Sequence, residues 1–304
     1  MPKRALLLGL NIVISAALLT WLWMHFDLSS AFNYMTDMDW RLAAAAFAVL
    51  LMHGVLSAWR WRTIIVLLDG TLNWPKALQL FFISMFFNQT LSTTIVGDAA
   101  RVWLLHREGA TTGAATSGIV LERVAAIMAL LPLITLGFAL LPGPLHPGLW
   151  FAAFLAMCCS IALPLAAPLA KSSTAWITAL GCFAAAGRRV LFSRGGIWIL
   201  GQSLLIHLGA GFATYLLAQS VGLAPDFGLL LALTPPVLLL TSLPISFGGW
   251  GPREAGLIWL FGLFGIAAAP ALAVSVALGV LVMIAGLPGG ALWFSRLARR
   301  SPTG

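Results

Sequence analysis

The stretch at 241–256, TSLPISFGGWGPREAG, constrains the fold most, because it interrupts an apolar run with residues that do not continue a membrane helix. It contains two prolines, three glycines within four positions, and an adjacent arginine and glutamate. Proline removes a backbone donor and glycine weakens a helix, so we predict a break after which a helix restarts at Pro252. Backbone groups freed within a bilayer must be satisfied by protein or water. We therefore interpret this stretch as the tip of a re-entrant hairpin and as half of a binding site.

Composition indicates that this break lies in an integral membrane protein. Of 304 residues, 61% are hydrophobic and 9% are charged, and the mean hydropathy is +0.98; a soluble domain carries about 25% charged residues. The net charge of +8 is assigned to the cytoplasmic ends of spans and not to nucleic acid. The sequence contains no Walker-type, HExxH or GxSxG motif and no paired cysteine spacing. It therefore predicts no cofactor, no metal site and no enzymatic activity.

The apolar runs predict an all-α polytopic membrane protein with six full spans, two re-entrant helical hairpins and both termini in the cytoplasm. The first hairpin, at about 77–95, is predicted to turn back because crossing would leave the basic residues after it outside, against the positive-inside tendency. The second lies at about 228–265. Arg60 and Arg62 are assigned to a basic cytoplasmic loop. The predicted spans are 5–24, 42–58, 118–141, 148–169, 197–217 and 270–294.

An internal repeat relates the two hairpins. A shift of 152 residues places Gly97 on Gly249 and Arg101 on Arg253, and it also superposes three pairs of predicted elements. Three crossings in each half would make the second half inverted relative to the first, and paired interrupted segments in inverted halves indicate a transport site near the midplane. The alternative is a duplicated scaffold with structural kinks. We predict one membrane domain, 1–304, with inverted repeats at about 1–147 and 148–304.

Ionisable residues near the tips are the strongest candidates for a substrate site, because a charge at the centre of a membrane helix costs about 2.5–3.5 kcal/mol. Arg253 and Glu254 follow the second tip, where a new helix favours an anion. Arg101 occupies the matching place in the first hairpin. Two guanidinium groups, one approached from each side of the membrane, suit a lipid phosphate, which arginine binds through two parallel hydrogen bonds.

Other polar residues have more than one interpretation. Asp98 is either the N-cap of the helix that follows it or a functional carboxylate. Glu122 is predicted to face inward about one turn inside its span, and either to pair with Arg101 or Arg253 or to carry a proton. Arg123 is predicted to extend toward the inner headgroups. The predicted substrate-binding set is Asn88, Asp98, Arg101, Glu122, Arg123, Ser246, Gly249, Gly251, Arg253 and Glu254.

Three motifs carry a resemblance to a known family: GDAARVWLL at 97–105, VLER at 120–123 and LPISFGGWGPREAG at 243–256. In these the chain resembles the flippase-like membrane domain of lysylphosphatidylglycerol synthetases and its stand-alone relatives. The resemblance implies a multi-pass protein of the bacterial inner membrane that moves a lipid with a polar or anionic headgroup, such as a phospholipid, polyprenyl-phosphate-linked or hopanoid-type lipid, between leaflets. No aminoacyl-transferring domain is visible, so lysine transfer is not expected.

Two other functions stay open. Asp37 and Asp39 in the first outer loop are compatible with a membrane glycosyltransferase that uses a polyprenyl-phosphate sugar. The chain could also be a non-transporting scaffold that delivers lipid to a lipid-modifying enzyme. The predicted partners are accordingly a membrane lipid and such an enzyme, and movement of the lipid is either proton-coupled or passive.

Overall fold

The computed structural model describes residues 20, 28–68, 70–90, 94–140, 185, 187–242 and 249–298. The predicted span at 148–169 lies outside these residues, as does that at 5–24 apart from Thr20. In the described part the regular structure is helical, without a strand. The helices are α1 Leu28–Thr36, α2 Trp40–Leu67, α3 Trp74–Thr90, α4 Thr94–Arg107, α5 Thr112–Leu140, α6 Arg194–Ser220, α7 Phe227–Ser242, α8 Pro252–Gly262 and α9 Ala268–Ala298.

Four of these helices, α2, α5, α6 and α9, are long and apolar enough to cross a membrane. They correspond to the predicted spans at 42–58, 118–141, 197–217 and 270–294. Each helix begins earlier than predicted, and three of them also end later. A multi-pass membrane protein that is helical throughout its described segments is therefore confirmed, while the total number of spans stays a prediction.

The assignment of Arg60 and Arg62 to a loop is wrong, because α2 continues to Leu67. Both arginines have partners that allow the helix to continue. Arg62 Nε donates to the carbonyl oxygen of Leu72 at 2.8 Å. Arg60 is buried against other helices and forms an ion pair. A charged side chain is tolerated within a membrane helix where other protein groups bind it. Both guanidinium groups have such partners here.

Helices α3 and α4 form an antiparallel hairpin. Near the turn, Asn88 Oδ1 accepts a hydrogen bond of 3.0 Å from the Gly97 N–H. At the other end, Lys76 Nζ lies 2.8 Å from Glu108 Oε1. From the first contact to the second, the paired residue lies earlier in the sequence on one arm and later by almost the same number of positions on the other, as in an antiparallel hairpin. Both arms, of 17 and 14 residues, are about 26 and 21 Å long, shorter than a bilayer core of about 30 Å.

Helices α7 and α8 form the second hairpin, with arms of 16 and 11 residues. The arms pack together where Gly256 lies against Leu240 and Val237. Pro235 and Pro236 lie in the middle of α7, where each removes a backbone donor from the helix. Helix α8 also packs against α9.

The chain divides into two compact units, and both draw on residues from each half of the sequence. In unit 1 the apolar core combines α2, α6 and α9, for example Leu50, Leu217 and Val274. In unit 2 it includes Ile64, Leu121 and Ile199. The units comprise residues 1–54, 79–101 and 208–304, and residues 55–78 and 102–207, respectively.

One face of α9 lies within unit 1 against both hairpins. A side chain at Gly279 would meet the guanidinium of Arg253, and one at Gly286 or Gly290 would meet Phe86 of α3. Gly286 and Gly290 are seven and eleven residues beyond Gly279, which places them within about 20° of it around the helix axis and about 10 and 16 Å along it. We call this row the glycine face of α9. It lets both hairpins approach the backbone of α9 closely.

Candidate functional site

The tip of the second hairpin has the predicted break. Gly249 and Gly251 have φ values of +82° and +94°, which residues with a Cβ rarely adopt. Helix α8 then begins at Pro252, as predicted. The break and the restart are therefore confirmed. Ser246, a predicted site residue, lies at 243–248, outside the described residues.

Arg253 and Glu254, at the start of α8, form a buried ion pair. Arg253 Nη2 lies 2.7 Å from Glu254 Oε1, and Arg253 Nε donates to the same oxygen at 3.1 Å. Ser275 of α9 joins the cluster: its hydroxyl donates to Glu254 Oε1 at 3.0 Å. The other carboxylate oxygen, Oε2, accepts the Gly251 N–H at 2.6 Å. Glu254 is only 1% exposed and Arg253 7%.

Two further residues fix the position of the Arg253 guanidinium. Arg253 Cζ lies 4.6 Å from the centroid of the Trp250 ring, in a cation–π contact. On the opposite helix, the missing side chain of Gly279 leaves the space that the guanidinium fills. The arginine is therefore held by a carboxylate, a hydroxyl and an aromatic face.

This arrangement changes the expected electrostatics of the tip. We predicted that the start of α8 favours a bound anion, and the chain's own Glu254 carboxylate occupies that place, bonded to a free backbone N–H. The pair of Arg253 and Glu254 is neutral. An external anion that replaced Glu254 on Nε and Nη2 of Arg253 would have to compete with this carboxylate.

Arg101 in the first hairpin has a similar environment. It is 3% exposed, and its Nη2 lies 3.3 Å from Asp98 Oδ1. Its Cζ lies 5.1 Å from the centroid of the Phe81 ring. Helix α4 begins at Thr94, so Asp98 lies beyond the first turn, and the N-cap interpretation of Asp98 is wrong. Each hairpin thus holds one buried arginine beside a carboxylate and an aromatic ring.

The first tip nevertheless differs from the second. Gly97, which the repeat aligns with Gly249, is helical and not in a positive-φ turn. A Cβ at Gly97 would meet the Ser84 carbonyl oxygen and the Asn88 side chain, so this glycine allows the arms to pack closely. Near the start of α4, the Asn88 side chain accepts a hydrogen bond from the Gly97 N–H.

Glu122 lies in unit 2, in a separate buried cluster. It is the eleventh residue of α5, about three turns from the start and not one as predicted. Its Oε1 lies 3.1 Å from Arg60 Nη2, and Arg60 Nη1 donates to Ser203 Oγ at 3.0 Å. The predicted partners of Glu122 were Arg101 or Arg253, and Arg60 was not considered. Arg123, the next residue, is half-buried.

Sequence reasoning missed Arg60, Ser275 and Gly279. Arg60 was excluded because the span was ended at the first charge, although apolar residues continue to Leu67. Ser275 and Gly279 are small residues one helical turn apart in an otherwise apolar run, the pattern of close helix contacts in membranes. That spacing was the available signal. To assign Ser275 and Gly279 to the site from this spacing, one must also know which helix packs against that face of α9.

Comparison with known proteins agrees with the motifs. A sequence model of the lysylphosphatidylglycerol synthase TM region matches residues 8–290. Among curated proteins, none matches the chain. The family match covers nearly the whole sequence, including both hairpins and the pair of Arg60 and Glu122. The chain is therefore a multi-pass membrane protein that belongs to the family of the lysylphosphatidylglycerol synthase transmembrane region.

Proposed function

We propose that the protein moves a lipid with a polar or anionic headgroup between membrane leaflets, as a flippase or scramblase. The observation that carries this proposal is the pair of buried arginines, Arg101 and Arg253, each beside a carboxylate and an aromatic ring. Their hairpins pack along the same glycine face of α9. Ionisable residues inside membrane proteins usually mark a substrate pathway, and guanidinium groups suit a phosphate headgroup.

The contacts of Glu254 support an exchange of partners at Arg253. If a phosphate takes the place of Glu254 on the guanidinium, the carboxylate keeps hydrogen bonds from the Gly251 N–H and the Ser275 hydroxyl. Both charges then keep a polar partner. This matters because a buried charge without a partner costs several kcal/mol of free energy. Trp250 continues to cover the guanidinium during this step.

The lengths of the hairpin arms support re-entry from each side. Arms of 11 to 17 residues are about 16–26 Å long and fall short of a core of about 30 Å. We propose that one hairpin enters from the cytoplasm and the other from outside, so that a headgroup passes from one arginine to the other while its tails stay in lipid. We place the protein in the bacterial cytoplasmic membrane, with both termini inside.

The test is lipid movement by the purified protein in proteoliposomes. A phospholipid labelled on an acyl chain is quenched in the outer leaflet by dithionite, and the protected fraction reports movement. We expect Arg253→Ala and Arg101→Ala each to slow movement about 10- to 100-fold, from the loss of a charged hydrogen bond of about 1.5–3 kcal/mol. Arg107→Ala, an exposed arginine of α4, is the matched control and should move lipid normally. Normal movement in both buried-arginine variants would refute the site.

The glycosyltransferase alternative has less support. Asp39 Oδ1 accepts the Arg41 N–H at 2.8 Å, which makes Asp39 the N-cap of α2. Its own backbone N–H donates to the Ser220 carbonyl oxygen at 2.8 Å. These contacts give Asp39 a structural role at a helix start, so its presence in the loop does not require catalysis.

A further inference from the structure

We propose that Glu122 binds and releases a proton within the membrane, with Arg60 as its charge partner, and that this couples lipid movement to a proton gradient. The inference rests on the proposed lipid movement for its coupling step but not for the proton site itself. It concerns unit 2, which contains neither Arg101 nor Arg253.

The first step of the argument is the position of the pair. The side chains of Arg60 and Glu122 are each 7% exposed, and they join α2 and α5, two of the helices able to span a membrane. An ionisable pair is expensive to bury there, and a well-packed apolar pair is often at least as stable. Stability alone therefore does not explain why the chain keeps it.

The second step is that Arg60 has another acceptor. Its Nη1 donates to Ser203 Oγ on α6 at 3.0 Å, and the Ser203 hydroxyl in turn donates to the Ile199 carbonyl oxygen. When Glu122 is protonated, the guanidinium keeps this hydrogen bond. The pair can therefore lose its ionic contact without losing the position of Arg60.

The third step is the set of titratable groups around Glu122. On α6, one turn beyond Ser203, His207 Nε2 lies 2.9 Å from the Ala126 carbonyl oxygen, one turn beyond Glu122 on α5. A carbonyl accepts, so Nε2 carries a hydrogen, and the other ring nitrogen of the neutral form can accept a proton. Arg60 on α2 is the ion-pair partner of Glu122, and Arg123 is its neighbour in sequence. The exposed Arg188 and Arg189 follow Gly187, which packs on Leu121 next to Glu122.

The charge balance of the step links it to an anion. A proton from the aqueous side forms an O–H bond on the Glu122 carboxylate, and the ionic hydrogen bond to Arg60 Nη2 is lost. The pair changes from neutral to a net charge of +1. One anionic lipid carried with each proton makes the transport step neutral overall, and release of the proton on the other side re-forms the pair.

The coupling test uses proteoliposomes with a pH difference of one unit across the membrane and an acyl-labelled anionic phospholipid. One proton per lipid shifts the steady-state ratio of lipid between leaflets by about tenfold. We expect this ratio for the natural protein and a ratio near one for Glu122→Gln. Glu108→Gln removes the carboxylate of a more exposed ion pair with Lys76 and should keep the tenfold ratio.

The proton site is tested without lipid movement by infrared difference spectroscopy over a pH titration. The carbonyl stretch of a protonated carboxylic acid should appear on acidification and be absent in Glu122→Gln. If the natural protein moves no lipid, the proposed function fails, and the infrared signal still decides the proton site. The proposal is overturned if that signal is unchanged in Glu122→Gln, if the variant keeps the tenfold ratio, or if the natural protein moves lipid without a response to the gradient.

Two further variants keep the test decisive. If Glu122→Gln does not fold, the double variant Arg60→Gln/Glu122→Gln removes both charges, a change that buried pairs tolerate better than loss of one partner. It should fold, as judged by gel filtration, and lack the gradient response. His207→Gln keeps a donor for the Ala126 carbonyl and should keep the response. If His207→Gln lost the response to the pH gradient while Glu122→Gln kept it, the proton would be assigned to His207 and the role of Glu122 would be refuted.

Discussion

Gly279→Ala tests how firmly the Arg253 guanidinium is held. A Cβ at position 279 would lie 2.7 Å from Arg253 Cζ, whereas ordinary contact begins at 3.4 Å, so the group must move by roughly 1 Å. It cannot move freely, because Glu254 holds Nη2 at 2.7 Å and Trp250 covers its face. We expect destabilisation of about 1–3 kcal/mol, the usual cost of overpacking, which corresponds to about 5- to 150-fold in an equilibrium constant.

The measurement is thermal unfolding in detergent, together with lipid movement in proteoliposomes. Gly201→Ala is the matched control, since Gly201 is also helical and has nothing within 4 Å of an added Cβ. The control should be neutral or slightly more stable, as alanine favours helix over glycine. Gly279→Ala should unfold at a lower temperature and move lipid more slowly. Equal behaviour of the two variants would show that the guanidinium is not fixed by its neighbours.

Three further predictions use the same unfolding assay. Gly289→Ala places a Cβ against the Phe82 carbonyl oxygen, which cannot rotate away, and should lower stability by about 1–3 kcal/mol relative to Gly201→Ala. Asn88→Ala leaves the Gly97 N–H without its acceptor and should cost about 1–3 kcal/mol; no loss would mean that water replaces the amide. Asp39→Ala should cost about 1 kcal/mol and Asp39→Asn almost nothing, because asparagine also caps helices. Loss of function in Asp39→Asn with unchanged stability would instead favour the catalytic role.

Local chain chemistry predicted the break before Pro252 and the restart of the helix there. Pro252 starts a helix because proline has the right φ and lacks a donor that the first helical position does not need. Gly249 and Gly251 supply the positive φ values of the turn. These preferences depend only on neighbouring residues, so they are readable from the sequence.

The first hairpin shows where such local reasoning fails. The repeat aligned Gly97 with Gly249, which lies in the turn of the second hairpin, but a glycine also serves where two helices approach closely. Only the packing of α3 on α4 distinguishes these uses. Asp98 was interpreted as a possible N-cap because an aspartate directly before a helical stretch is typical of one, but α4 starts at Thr94, four residues before Asp98.

The partners of the buried charges were not predictable from local patterns. Arg60 meets Glu122 across 62 positions of the chain and Ser203 across 143. Arg253 is held by Ser275 and Gly279, which lie on the following helix. The sequence identifies a buried charge by its cost. Which opposite charge compensates it depends on the rotation of each helix, and small differences in rotation decide between partners.

The carboxylate bonded to Arg253 has a consequence for affinity. A headgroup that takes the place of Glu254 on this guanidinium competes with a carboxylate of the same chain, so its measured dissociation constant reflects the difference in affinity between the two anions. Weak apparent binding with short residence is therefore expected, even where the contacts with arginine are good. Such weak binding suits the proposed lipid movement, since a conducting site must let its cargo leave as readily as it enters.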